Sequence, residues 1–167
     1  MKMKTGISAL ITAAIFLSAC SASSSTAKNE LKAAEFEQTA SLIESGSYQF
    51  TVRSATPSGG KTIQISSEYT MKAKDGNYEA YLPYFGRAYS ATYGGNQGVE
   101  FKGEPEDLEY TRKDNKNKVS LSFTISADSE KYTVNLEVGG SGYGTLVISN
   151  PRKQPISYYG QVSGLAD

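Results

Sequence analysis

From Tyr48 almost to its C-terminus the chain alternates apolar and polar side chains with a period of two, and this narrows its fold more than any other feature. Tyr48, Phe50 and Val52 alternate with Gln49, Thr51 and Arg53; Val119, Leu121, Phe123 and Ile125 alternate with Ser120, Ser122 and Thr124. Tyr132, Val134, Leu136 and Val138 repeat the pattern, as do Ile63, Ile65, Ser67, Tyr69 and Met71. Tyr78, Ala80 and Leu82 open another such run, and Leu146 to Ile148 and Ile156 to Val162 complete the set. Successive side chains on a strand point to opposite faces, so each run is a strand with one dry face and one wet face. The links between runs are short and carry turn chemistry, notably Pro57-Ser58-Gly59-Gly60 and Asp75-Gly76. Parallel neighbours need crossovers of about a dozen residues or more, so these strands are antiparallel. The expected fold is mainly β: an antiparallel meander of about eight to ten strands forming a barrel or a sandwich, with one N-terminal α-helix. The pattern leaves barrel and sandwich both open.

The helix is expected over Asn29 to Ser45. Phe36, Ala40 and Ile43 share a face at helical spacing, Leu31 and Leu42 flank it, and Gly46 is placed to end it. Its polar side is of mixed charge, which suits a helix packed on a sheet better than one lying on a membrane.

The N-terminus has a different logic. Met1 to Lys4 is short and basic, and Gly6 to Leu17 is apolar or small, about as long as a signal h-region and too short to span a bilayer. It ends in Leu17-Ser18-Ala19-Cys20, which resembles a lipobox, with Cys20 as the acylated residue. One acyl chain gives only reversible attachment, whereas the two or three usual at such a cysteine anchor stably. The expected organisation is a lipoprotein signal peptide over 1–19, the lipidated Cys20 and a flexible tether over 20–28, and a single β-rich domain with an N-terminal helix over 29–167. The expected place is the cell envelope, on the outer membrane facing the periplasm, since no run of acids follows Cys20.

Composition weighs against several function classes. The 167 residues contain no His and 1 Cys, so the commonest general base is missing and no intramolecular disulfide forms. The 17 basic side chains balance 17 acidic ones, and without Lys2 and Lys4 the remainder is net acidic, which disfavours nucleic acid as a partner. No metal or catalytic motif is present in the sequence, so no cofactor and no enzymatic activity is expected. Gly140-Ser141-Gly142-Tyr143-Gly144 reads as a bend or hairpin, because a strand and not a helix follows it. Glu104, Glu106, Asp107 and Glu109 read as a solvated loop entering a strand at Leu108.

The stretch from Tyr78 to Phe101 departs from the rest. It holds Tyr78, Tyr81, Tyr84, Tyr89 and Tyr93 of the 12 tyrosines, is broken by Pro83, Gly86, Gly94, Gly95 and Gly98, and has Arg87 as its cation before Phe101. The run Tyr81 to Tyr89, then Tyr93-Gly94-Gly95 and Gly98 to Phe101, with Asn150-Pro151-Arg152 and Ile156 to Gly160, resembles domain of unknown function 4251. The resemblance covers Leu31 to Val162 and implies lipoproteins of Bacteroides-like bacteria; it brings no catalytic residues. Tyrosine offers an apolar face with a polar tip, and a guanidinium clamps carboxylates. Tyr84, Arg87, Tyr89 and Tyr93 are therefore the candidate ligand-binding residues, for a small molecule, glycan or peptide. The competing reading is structural, with Arg87 paired to Glu79 or Glu100. The alternative function is docking on another envelope protein.

Overall fold

The computed structural model describes residues 23–87, 98–127 and 130–165. Cys20, with the leader, and Tyr89 and Tyr93 lie outside the described residues. One helix, α1 (Ser23–Glu44), precedes ten strands: β1 (Tyr48–Pro57), β2 (Ile63–Gln64), β3 (Thr70–Lys74), β4 (Asn77–Pro83), β5 (Gly98–Gly103), β6 (Glu106–Lys113), β7 (Lys118–Ala127), β8 (Glu130–Gly139), β9 (Tyr143–Asn150) and β10 (Lys153–Gly164).

All pairings are antiparallel and belong to one sheet, ordered β5-β4-β3-β1-β10-β9-β8-β7-β6, with β2 also on β1. The sheet curls into a half-barrel, which settles the choice between barrel and sandwich. Its two outer strands, β5 and β6, are consecutive in the chain and joined by Glu104-Pro105, so the edges meet at a chain corner rather than through a ladder. Gly103 at φ 155° and Asp107 at φ 54° make that corner.

The alternation read from the sequence is the inside-outside pattern of the sheet. Tyr48, Phe50, Val52, Tyr78, Leu82, Val119, Phe123, Ile125, Tyr132, Leu136 and Ile148 are buried, and their sequence neighbours face outward. Rings meet across the interior: Tyr78 against Phe123 with centroids 4.4 Å apart, and Phe101 against Tyr132 at 5.7 Å. Each fully buried large side chain contributes about 1.5–3 kcal/mol of transfer free energy. The Asp75-Gly76 hairpin forms as expected, with both residues at positive φ.

Three boundaries differ from the sequence reading. Helix α1 begins at Ser23 and not Asn29, taking in part of the expected tether, because Ser23 to Lys28 contains no helix breaker. Leu31 does not pack against the core; it is 65% exposed, as is the whole stretch 26–35. The run Ile63 to Met71 is not one strand. Residues 66–68 loop out as polar, exposed chain between Ile65 N–H, which donates to the Arg53 carbonyl at 2.9 Å, and the Tyr69 carbonyl, which accepts from Val52 N–H at 2.9 Å. The acidic segment also differs: the edge strand β6 begins at Glu106 and not at Leu108, and it bulges between Glu106 and Glu109.

Only the second half of α1 packs on the sheet. Phe36, Ala40 and Ile43 are buried, and Thr39 Oγ1 donates to the Gly140 carbonyl at 3.0 Å in the β8–β9 turn. Arg112 of β6 pairs with Glu37 and, at 2.6 Å, with Asp114, while its guanidinium lies 5.0 Å above the Phe36 ring. Gly46, at φ 66°, takes the left-handed position that ends the helix and donates to the Ile43 carbonyl at 3.1 Å. The helix thus caps the end of the half-barrel formed by the β6–β7 and β8–β9 turns. The opposite end is a rim where β4, β7 and β9 end and β5, β8 and β10 begin.

Candidate functional site

The Tyr-rich stretch leads to this rim. β4 ends at Pro83, whose carbonyl accepts from the buried Tyr158 hydroxyl at 2.8 Å. Burial pushes the Tyr158 phenol well above its ordinary range, helped by Tyr84 and Tyr132. The chain then turns through Tyr84. Its hydroxyl donates within a fork of two carbonyls, that of Arg87 at 2.9 Å and that of Gln154 at 3.0 Å. Gln154 completes the tie: its N–H donates to the Arg87 carbonyl at 3.0 Å, and its Oε1 accepts from the Arg87 N–H at 3.3 Å. Tyr84 is therefore half-buried and committed to holding two segments 70 residues apart in sequence.

Arg87 is the complement of this. Its backbone is fixed by Gln154 and its side chain is exposed, with no ion pair among the described residues. Neither carboxylate expected to pair with it is shown doing so: Glu79 instead meets Lys102 at 3.0 Å on the outer face of β4 and β5.

Beneath the rim sits an ion pair withdrawn from water. Lys153 Nζ lies 3.0 Å from Glu130 Oε2 and also donates to the Gly98 carbonyl at 3.3 Å. The Tyr132 hydroxyl donates to the same Glu130 oxygen, and the Lys153 ammonium is 5.8 Å from the Tyr84 ring centroid and 5.9 Å from that of Tyr132. Burial by itself raises the Glu130 pKa, but the hydrogen bonds from Tyr132 and Lys153, with the charges of Lys153 and Arg152, outweigh it and hold the carboxyl below its usual range. Among the described residues, Arg87 and the exposed Arg152 are left as cations at the rim once Lys153 and Glu130 neutralise each other; Asp128 lies outside those residues. An exposed guanidinium suits a carboxylate or another anionic group.

Sequence reasoning missed a second feature, a groove of about 470 Å³ on the outer face of β6 to β9. Glu109, Thr111, Ser120, Ser122, Asn135, Glu137, Thr145 and Val147 line it. The alternation marks Ser120 and Ser122 as wet positions, but which wet positions form a hollow depends on how neighbouring strands coil.

The family model for domain of unknown function DUF4251 matches residues 30–162. In fold, the chain is similar to a DUF4251 family protein from Bacteroides eggerthii of known crystal structure. The TM-score is 0.63 at 13% identity, over 79% of this chain and 89% of that one. No curated protein matches the sequence.

Proposed function

Since the chain belongs to the DUF4251 family, we propose that it is a lipid-anchored, non-catalytic binding protein of the bacterial cell envelope, held through Cys20 on the outer membrane facing the periplasm. Its rim takes a small molecule, glycan or peptide bearing an anionic group. The observation that carries the reading is Arg87: a turn pinned by Tyr84 and Gln154 presents its guanidinium to solvent with no ion pair among the described residues. A cation on a rigid support loses little entropy when it meets a carboxylate. The absence of His and the lipobox-like Leu17-Ser18-Ala19-Cys20 support the non-catalytic and anchored parts.

Two experiments test it. Metabolic labelling with a palmitate analogue marks the wild-type chain and not Cys20→Ala, and that variant leaves the membrane fraction; labelling of both sinks the anchor. A screen of acidic peptides and uronic-acid glycans yields a ligand that Arg87→Ala loses while its melting temperature stays unchanged. If Arg87→Ala unfolds the domain, or binds as wild type does, the rim is a folding device. Docking on another envelope protein by strand addition is disfavoured at β6, whose charged side chains blunt a free sheet edge.

A further inference from the structure

The outer face of β6 to β9 carries two register-matched ladders of side chains, polar except for Val147. Glu109, Ser122, Asn135 and Val147 lie side by side across the four strands, and Thr111, Ser120, Glu137 and Thr145 form the next row. Each member is exposed or half-buried, and together they wall the groove of about 470 Å³. The three gaps between four strands, at about 4.8 Å each, make it about 14 Å across. That volume lies within the range of small-ligand sites.

The second ladder does not stop at the groove. Thr145 is the register partner of Tyr159 on β10, so the Tyr159 ring stands at the groove's edge. Tyr159 is 49% exposed and stacks on Tyr143, with centroids 5.9 Å apart and planes 12° from parallel. Arg53 lies 5.7 Å above the Tyr143 ring and donates to Gln161 Oε1 at 3.2 Å, which steadies the pair from the far side. Exposed rings held in this way offer a ready stacking surface at little ordering cost.

The charges choose the ligand. The groove contains two carboxylates, Glu109 and Glu137, and the adjacent Lys118 is 2.5 Å from Glu137 and occupied by it. With Glu137 paired, Glu109 is left as the groove's net charge and disfavours an anionic ligand, and an apolar one would strip water from hydroxyls, an amide and carboxylates without replacing their hydrogen bonds. A neutral polyhydroxylated chain satisfies both conditions. Its hydroxyls donate to the carboxylates and exchange hydrogen bonds with Ser120, Ser122, Thr111 and Asn135, and its C–H face lies on Tyr159.

We propose that this groove is a binding site for a neutral oligosaccharide, with the Tyr159–Tyr143 pair as its stacking platform. The site is separate from the Arg87 rim, and the two stand or fall independently.

The test is isothermal titration of the full chain with neutral gluco-, manno- and xylo-oligosaccharides, with a uronic-acid oligosaccharide and a lysine-rich peptide as charged controls. At least one neutral oligosaccharide binds. Tyr159→Ala and Asn135→Ala each weaken it by about tenfold or more, while Lys72→Ala, on the exposed face of β3, binds it unchanged. Both groove substitutions fall on outward-facing positions, and circular dichroism checks that their folds are intact. Absence of binding by every neutral oligosaccharide overturns the proposal. So does binding that survives both groove substitutions, binding lost in Lys72→Ala, or preference for the lysine-rich peptide.

Discussion

Lys153 and Glu130 meet 3.0 Å apart at the rim and, through the Lys153 bond to the Gly98 carbonyl, tie the start of β5 to the β8 and β9–β10 side of the half-barrel. No ladder joins those strands, since β5 is the last strand in the sheet order. The pair therefore acts as a clasp across the open seam, beside the Phe101–Tyr132 ring contact. The side chains are 14% and 19% exposed, so removing one partner strands a charge. Lys153→Met is expected to lower unfolding free energy by about 3–5 kcal/mol, and adding Glu130→Met to recover most of it. Urea denaturation of the two single variants and the double variant checks this; an additive double variant refutes the clasp.

The same carboxylate makes stability depend on pH. Burial opposes ionisation of Glu130, but Tyr132, Lys153 and Arg152 more than offset it, and its pKa in the fold is lowered. Glu106 is lowered as well, by hydrogen bonds from Lys131 and Ser126 and by the Lys131 charge. A group with a depressed folded-state pKa contributes stability above its unfolded value, about 4.3 for glutamate, and the contribution disappears as pH falls through the folded-state value. The wild-type chain should lose stability on acidification below about pH 4.3. Glu130→Gln should have a shallower loss over that range, read from urea midpoints across pH.

Tyr48 points the other way. It is fully buried, and its hydroxyl makes no hydrogen bond of ordinary geometry, only a weak interaction with the neighbouring Tyr78 hydroxyl. Burial drives the phenol's pKa far above its ordinary range, so it never ionises. An unsatisfied buried hydroxyl costs about 1–3 kcal/mol. Tyr48→Phe should leave thermal stability unchanged or raise it, and a drop in melting temperature would reveal a bonded hydroxyl.

Gly160 of β10 lies opposite Val52, beside the β1 bulge. A Cβ there would lie 2.2 Å from the Thr51 carbonyl oxygen and 2.8 Å from the tip of the Phe50 ring. Neither neighbour can yield easily, one being backbone and the other a buried ring next to the β1 bulge between Val52 and Ser54. Gly160→Ala should destabilise by about 3 kcal/mol or more, at or above the top of the usual range for overpacking, whereas Gly164→Ala, with open space around it, should be near neutral. Paired melting curves decide it.

Much of the fold was legible because period-two alternation is a one-dimensional record of a two-faced sheet. Phe123 and Ser122 announce their faces without reference to anything distant. Leu31 misled, because an apolar residue at helical spacing looks the same on a docked turn as on a free one. The looped-out Ser66 to Glu68 kept the alternating rhythm while leaving the sheet. At the rim, Arg87 was read as a candidate, but the role of Tyr84 depends on Gln154, 70 residues away in sequence, and no local pattern encodes that bond. Asn135 and Thr145 looked like ordinary solvent-facing positions because concavity belongs to several strands at once.

Residues 26–35 of helix α1 are exposed and its burial begins at Phe36, so about 15 Å of rod stands clear of the half-barrel. A rod transmits direction as well as distance, unlike a string. Whatever holds the N-terminal side of this chain would hold the barrel at a set remove and by its capped end, leaving the rim at the far end of the body. A partner could then approach Arg87 without first competing with the attachment point.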